Sequence, residues 1–155
     1  MSNPQPQYKY YWEDFQVGSA HEFGSITVSK EDIIAFATQF DPQPFHLDEE
    51  AAKDSLFGGL CASGWHTSAL AMRMVCDGGL RESASLGSPG VDKLRWLKPV
   101  FPGDTLRMRI EVLDARPLKS KPNVGLVHNR WDVFNQNDEM VMQLEAHVMY
   151  RRRPA

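Results

Sequence analysis

The sequence has few of the features that mark a specialised class of protein. It has only two cysteines, Cys61 and Cys76, whose spacing of fifteen fits neither a CxxC pair nor a disulfide framework, so we expect buried free thiols. No apolar run approaches the roughly 20 residues of a transmembrane helix. The first twelve residues, MSNPQPQYKYYW, lack the apolar segment of a signal peptide. These absences predict a cytoplasmic protein without a membrane partner.

A strong charge of one sign is also absent. The formal net charge of −3 gives no reason to expect nucleic acid as a partner. No two histidines lie at metal-ligand spacing with a carboxylate or a cysteine, and the chain has no P-loop or dinucleotide fingerprint. The sequence therefore predicts neither a metal site nor a redox cofactor.

Length and patterning favour one domain with a few well-marked helices. A chain of 155 residues without repeats or a linker suggests residues 10–155 as the domain, after a disordered polar tail over residues 1–9. Ser29 and Asp32 form a capping-box pattern at the start of an amphipathic helix. A short polar helix is predicted over Asp48 to Asp54. The segment from Ala62 to Cys76 is apolar nearly all round, which is typical of a helix in the protein interior.

The second half of the chain alternates apolar and polar residues, which is typical of strands with one buried face. Strands are predicted in VDKLRWLKPVFPGDTL before its Pro-Gly-Asp corner, in LRMRIEV, VGLVHNRWDVF and MVMQLEAHVMY, and over about residues 20–26. One face of such a sheet needs a cover, and the apolar helix is the one available. We therefore predict an α+β fold, a curved antiparallel sheet wrapped around a buried central helix, with strand edges that favour a dimer.

The segment ATQFDPQPFH places an acid, Asp41, five residues before an imidazole, His46. The prolines between them are expected to end the preceding helix, because a residue before proline is pushed out of helical dihedral angles. We expect a rigid extended loop that aims both side chains at one point. A carboxylate and an imidazole on such a loop are suited to hold one water molecule and to share acid–base work.

Three segments together resemble the MaoC-like dehydratases, which include the (R)-specific enoyl-CoA hydratases. They are FDPQPFHLDEEAA, FGGLCASGWHT and KPVFPGDTL, and the similarity extends from about Trp12 to Tyr150. The Asp-(four residues)-His block is the specific part, whereas the Pro-Gly-Asp corner is common among hotdog proteins. The resemblance implies a hotdog fold and a hydro-lyase that reversibly hydrates trans-2-enoyl-CoA to (R)-3-hydroxyacyl-CoA, with coenzyme A present only as part of the substrate.

The resemblance also implies roles for individual residues. Asp41 and His46 match the catalytic pair of the family, and Gly64 matches the glycine that opens the central helix and donates its N–H to the thioester oxygen. Two positions depart from the family pattern. Gln43 stands where the family usually has Asn, and Ser63 stands where it usually has His. Both changes bear on substrate choice and on the hydrogen bonds that orient the pair.

Further candidates follow from their place in the sequence. Ser63 is most simply the N-cap of the central helix. Contacts with substrate near the helix start are expected from Ser63, Trp65 and His66, the last either as a partial substitute for the missing family histidine or as a structural residue. The phosphates of coenzyme A favour cations at the mouth of the site, and the candidates are Lys93, Arg95, Lys98 and Lys121. Three histidines in predicted strands are expected to be structural: His21, His128 and His147.

Two other functions stay open at this level. A thioesterase on the same fold would use a carboxylate to activate water against the thioester carbonyl. An acyl-CoA-binding protein would keep the fold without turnover, and the departures at Gln43 and Ser63 keep that alternative in view. For each function we expect an acyl-CoA thioester as ligand and a homodimer or a dimer of dimers as the assembly.

Overall fold

Five antiparallel strands form one sheet in the computed structural model, which describes residues 7–155. The strands are β1 (Ala20–Thr27), β2 (Ser85–Trp96), β3 (Thr105–Pro117), β4 (Val124–Phe134) and β5 (Met140–Arg151). Their order across the sheet is β1-β3-β4-β5-β2, which leaves β1 and β2 at the edges. Each of the predicted strands is present in this part of the chain.

The alternating pattern explains which face of the sheet is buried. On β3, Leu106, Met108 and Val112 are buried, whereas Arg107 and Arg109 between them are only half-buried. On β5 the same period buries a row of apolar side chains, which are Met142, Leu144, Ala146, Val148 and Tyr150. A side-chain period of two places each set on one face of the pleat. The sheet therefore has one apolar face and one polar face, as predicted.

The helices are α1 (Lys30–Phe40), α2 (Pro44–Leu47), α3 (Glu49–Lys53) and α4 (Gly64–Asp77). Helix α1 begins where its cap predicts, because the Ser29 hydroxyl accepts a hydrogen bond from the Asp32 N–H at 3.1 Å. It ends at Phe40, and Asp41 is its C-cap residue. The predicted polar helix is α3, which Asp48 caps by accepting from the Glu50 N–H at 2.9 Å.

The prediction of an extended loop between Asp41 and His46 is wrong in one respect. The chain is extended only as far as Gln43, and a single helical turn, α2, begins at Pro44 and carries His46. Proline is well suited to the first position of a helix, since its missing N–H would have no partner there and its φ is already helical. The second proline therefore starts a helical turn, and His46 is held by helical backbone.

Helix α4 covers the apolar face of the sheet. Its buried residues are His66, Thr67, Ala71, Met74 and Val75. Contact with the sheet includes the Ser68 hydroxyl, which lies 3.4 Å from the sulfur of Met142 on β5. The opposite side of the helix is open in the single chain, where Trp65 is 59% exposed. A central helix against one antiparallel sheet is the hotdog arrangement.

The start of the chain adds little to this architecture. Residues 1–6 of the predicted tail lie outside the described residues. Residues 7–9 are described, and the Lys9 N–H donates to the carbonyl of Glu82 at 2.9 Å. Within residues 7–155, no helix has both the length and the apolar character needed to span a membrane.

Candidate active site

The structure brings Asp41 and His46 together. Oδ2 of Asp41 lies 3.5 Å from Nε2 of His46, and the imidazole is buried. Each side chain has a defined support, since Asp41 caps α1 and His46 is on α2. The segment between the two residues thus connects α1 to α2 by a short turn. The carboxylate of Asp41 and the imidazole of His46 face the same cavity.

A hydrogen bond of His46 to the backbone determines which of its ring nitrogens carries the hydrogen when the ring is neutral. Nδ1 lies 2.7 Å from the carbonyl oxygen of Cys61. A carbonyl oxygen only accepts, so Nδ1 must carry the hydrogen and donate it. Neutral His46 consequently presents the lone pair of Nε2 toward Asp41 and the cavity. A lone pair next to a carboxylate is a suitable place for a water molecule that can donate to both.

Asp41 is held by two short hydrogen bonds. The Ser63 hydroxyl donates to Oδ2 at 2.6 Å, and the Gln43 side-chain amide donates to Oδ1 at 2.6 Å. Burial raises the pKa of Asp41, but the two hydrogen bonds and the nearby His46 outweigh burial and hold the pKa below its ordinary value. Asp41 is therefore a carboxylate at neutral pH.

The pair opens into a cavity of about 520 Å³, within the roughly 300–1,000 Å³ range of small-molecule sites. Its walls are mainly apolar and aromatic, and they include Phe40, Phe45, Phe57, Trp96 and Val100. The sequence suggests that some aromatic residues, such as Trp96, line the site, but it does not distinguish them from core residues, because the lining comes from separate segments. A mainly apolar cavity with an acid–base pair in its wall suits an acyl group.

The N-terminus of α4 forms another wall of this cavity. The Ser63 hydroxyl accepts from the Trp65 N–H at 3.3 Å and so caps the helix as predicted. Gly64 follows as the first helical residue and lines the cavity. The first N–H groups of a helix have no partner inside it and favour negative charge. This wall is suited to an oxygen that gains charge during a reaction.

Gly64 has a neighbour that the sequence did not reveal. A methyl group added at Gly64 would overlap the indole of Trp96 and come within 2.7 Å of its Cε3 atom. The indole N–H donates to the Ser68 hydroxyl at 3.2 Å, and the ring meets that of Trp65 edge-on with centroids 5.0 Å apart. Glycine is therefore needed at this position for the Trp96 ring to lie against the helix.

The remaining candidates near the helix start separate into two groups. Trp65 lines the cavity at its open side. His66 is on the other side of α4, where its ring stacks on Phe36 with centroids 4.7 Å apart, and it does not line the cavity. Thr67, which sequence analysis missed, is 3% exposed and lines the cavity one turn after Gly64.

Of the cations considered for coenzyme A, one lies at the cavity. Lys98 lines its wall and forms an ion pair with Glu139. Lys93 instead pairs with Glu145 at 3.2 Å, away from the cavity lining. Arg95, on β2, and Lys121, in the loop between β3 and β4, do not line the cavity either.

The other histidines do not line the cavity. His128 and His147 stack on neighbouring strands with ring centroids 4.4 Å apart, and Nε2 of His147 lies 2.6 Å from Asp92. His21 is exposed on β1. Within the described residues, no three His, Cys, Asp or Glu side chains are grouped so that they could hold a metal ion.

Cys61 is expected to be a slowly reacting thiol in the folded protein. Its side chain is buried, and burial raises its pKa to about 11. Cys76, which was also expected to be buried, is only half-buried on α4. Because the thiolate is the nucleophile, iodoacetamide at about pH 8 should label Cys61 much faster in denaturant than in the native protein, as measured by peptide mass spectrometry. Equal labelling rates in the two conditions would contradict this account of Cys61.

His66 is expected to make stability depend on pH. Burial lowers its pKa below the ordinary 6.5, and the charge of Asp32 offsets only part of this effect. The unfolded chain therefore takes up a proton at higher pH than the folded chain, so the free energy of unfolding falls as pH drops below about 6.5 toward the folded pKa.

Denaturant unfolding between about pH 7.5 and about pH 5.5 measures this effect. His66→Gln should lose less stability over that range than the wild type. The matched control, His21→Gln at an exposed position, should follow the wild type. An identical pH dependence for His66→Gln and the wild type would show that the buried imidazole is not the cause.

Comparison with known proteins identifies the family of this chain. Residues 14–132 match the family described as the MaoC like domain. The crystal structure of a MaoC-like dehydratase from Rhodospirillum rubrum is 44% identical and has a TM-score of 0.88, covering 94% of this chain and 99% of that one. The uncharacterised protein YdeM of Bacillus subtilis is 32% identical over 90% of this chain and 98% of its own.

A further relative has a named activity. The 3-hydroxybutyryl-CoA dehydratase of Methylorubrum extorquens is 29% identical over 89% of this chain and 82% of its own. The family match spans most of the sequence, from the turn before β1 into β4. Sequence, fold and comparison agree, and this chain belongs to the MaoC-like dehydratase family.

Proposed function

We propose that this protein is a hydro-lyase that reversibly hydrates trans-2-enoyl-CoA to (R)-3-hydroxyacyl-CoA. The observation that carries the proposal is the 3.5 Å approach of Asp41 to His46 in a cavity whose other wall is the start of α4. Similarity to a 3-hydroxybutyryl-CoA dehydratase supports this class of reaction. The (R) configuration is the one that the family resemblance implies.

In this proposal His46 carries the proton transfers, and the tautomer inferred from its hydrogen bond to Cys61 supports that role. A water molecule between the two side chains donates one hydrogen to Asp41 and the other to Nε2 of His46. As its oxygen bonds to C3 of the enoyl group, His46 accepts the proton. The imidazolium then returns that proton to C2, so that the water is divided between C3 and C2. Asp41 stays ionised, orients the water and stabilises the imidazolium.

The enolate that forms between these two transfers needs a donor at the thioester oxygen. We assign this role to the N–H of Gly64 at the positive end of α4. The reaction requires no cofactor besides the coenzyme A of the substrate. Lys98 is the one candidate cation that lines the cavity, and we propose that it contacts a phosphate of coenzyme A. The phosphate would compete with Glu139, the present ion-pair partner of Lys98.

The test is a series of 2-enoyl-CoA substrates, followed both by loss of the conjugated thioester absorbance and by release of free thiol. The proposal predicts loss of absorbance without thiol release. A thioesterase would release thiol, and a non-catalytic binding protein would do neither while still binding the ligand. The hydrogen bonds to both oxygens of Asp41 lower its basicity, which disfavours a thioesterase that uses this carboxylate to activate water.

We also propose that the protein assembles as a homodimer through α4 and β2. Edge strand β2 carries Val91, which is 49% exposed, and α4 carries two exposed apolar side chains, Trp65 and Met72. Unpaired strand edges and contiguous apolar surface favour association. Sedimentation velocity should give twice the 17.6 kDa chain mass.

A charged substitution tests where the dimer contact lies. Val91→Lys should shift the sedimentation profile toward the monomer. The control, Val17→Lys, changes a valine that is 61% exposed outside the α4–β2 surface and should leave the dimer intact. A monomeric wild type would refute the assembly, and a dimer unaffected by Val91→Lys would refute this surface.

A further inference from the structure

Ser63 has a second contact that its capping role does not require. Its side chain is fully buried, and its hydroxyl accepts from the Trp65 N–H at 3.3 Å while donating to Oδ2 of Asp41 at 2.6 Å. A hydroxyl group has one hydrogen to donate and two lone pairs, so both bonds form at once. The same oxygen therefore caps α4 and binds a carboxylate 22 positions earlier in the chain.

We propose that Ser63 is a positioning residue, which fixes the carboxylate of Asp41 against His46 and ties it to the N-terminus of α4. This inference rests on the proposed function, in which Asp41 orients the water and Gly64 binds the thioester oxygen. One hydroxyl then sets the distance between the group that holds the nucleophile and the group that stabilises the developing charge. Both must be correct for the substrate to lie in a reactive geometry.

Gln43 also donates to Asp41, and its bond is equally short at 2.6 Å. Its surroundings differ, because Gln43 is exposed, and water can replace its amide. Ser63 is fully buried, so the space that its hydroxyl would leave is closed to bulk solvent, and Oδ2 would lose that donor without a ready replacement. The hydrogen bond from Ser63 is also the larger of the two in lowering the pKa of Asp41. The positioning role therefore belongs mainly to Ser63.

Three variants separate this role from helix capping. Ser63→Gly removes the hydroxyl but leaves a residue that is itself accepted at a helix N-cap. Ser63→Thr keeps both hydrogen bonds. Gln43→Ala removes the exposed donor. Circular dichroism and thermal melting establish that each variant is folded, and Ser63→Ala replaces Ser63→Gly if the glycine variant does not fold.

The first readout is the kinetics of enoyl-CoA hydration. We expect Ser63→Gly to lower kcat by about 10–100-fold with KM changed much less, and to shift the acidic limb of the kcat/KM profile to higher pH. Ser63→Thr should recover most of the activity. Gln43→Ala should lose less activity than Ser63→Gly. An unchanged pH profile in a folded Ser63→Gly variant would reduce Ser63 to a helix cap and overturn the proposal.

The second readout does not depend on activity. Carbon NMR of the side-chain carboxyl of Asp41 follows its titration in the free protein, with Asp41→Asn identifying the resonance. The pKa of Asp41 should rise in Ser63→Gly and stay near the wild-type value in Ser63→Thr. If the wild type hydrates no enoyl-CoA, the proposed function fails, yet this titration still tests the link. An Asp41 pKa that is identical in the wild type and in Ser63→Gly would overturn the positioning role of Ser63.

Discussion

Asp41→Asn and His46→Gln are each expected to lower the rate of enoyl-CoA hydration by about 10²–10⁴-fold without unfolding the protein. The amide introduced by Asp41→Asn could still accept the hydrogen bond from Gln43 and donate to the Ser63 hydroxyl, but it lacks the charge that stabilises the imidazolium. The amide introduced by His46→Gln has no lone pair basic enough to take a proton from water. Initial rates at saturating and limiting substrate, with melting temperatures beside them, measure both effects.

A matched control for these substitutions exists in the same chain. His147 and Asp92 also form an imidazole–carboxylate pair, at 2.6 Å, but away from the cavity lining. Asp92→Asn and His147→Gln should therefore hydrate enoyl-CoA at close to the wild-type rate. If Asp41→Asn or His46→Gln performed as well as these controls, the residue concerned would have no part in the mechanism.

Gly64→Ala is expected to have the second largest effect, lowering kcat/KM by about 10²–10³-fold. The new methyl group would overlap the Trp96 indole, so either the ring or the first turn of α4 must move. Movement of that turn misplaces the N–H assigned to the thioester oxygen. Overpacking of this kind typically costs about 1–3 kcal/mol, so the melting temperature should fall as well.

Two further variants identify the cause of the loss. Gly59→Ala is the control, because a methyl group there would meet only Phe101 at an ordinary 3.8 Å. In the double variant Gly64→Ala/Trp96→Ala the overlap is removed, and the melting temperature should recover relative to Gly64→Ala alone. Gly64→Ala with wild-type rates would show that neither the position of this turn nor its N–H matters for the reaction.

Features set by local physics were predictable from the sequence. The cap at Ser29, the end of α1 before the prolines and the alternation along β5 depend on residues that are neighbours in the chain. The convergence of Asp41 and His46 was also predicted, but through an extended loop rather than the helical turn that carries His46. The turn beginning at Pro44 differs from the prediction because proline, which ends a helix that precedes it, also favours the first position of a new one.

The rest of the site depends on contacts between distant segments. Ser63 binds a carboxylate 22 positions away, and the Trp96 indole donates to the hydroxyl of Ser68, which is 28 positions away. No local pattern indicates such partners. The sequence also does not show which way the His66 side chain points. Successive residues of a helix are about 100° apart, so one position decides whether a side chain near the start of α4 faces the cavity or α1. Only the folded chain distinguishes Thr67, which lines the cavity, from His66, which does not.

The most direct test of the central claim is to incubate crotonyl-CoA with the protein in heavy-oxygen water and to locate the label by mass spectrometry. The account predicts (R)-3-hydroxybutyryl-CoA with the heavy oxygen on C3, an intact thioester, and almost no product with Asp41→Asn. Label in a free carboxylate together with released coenzyme A would mean that water attacks the thioester carbonyl. That result, or unaltered crotonyl-CoA and no labelled product from any 2-enoyl-CoA of the series, would contradict the account.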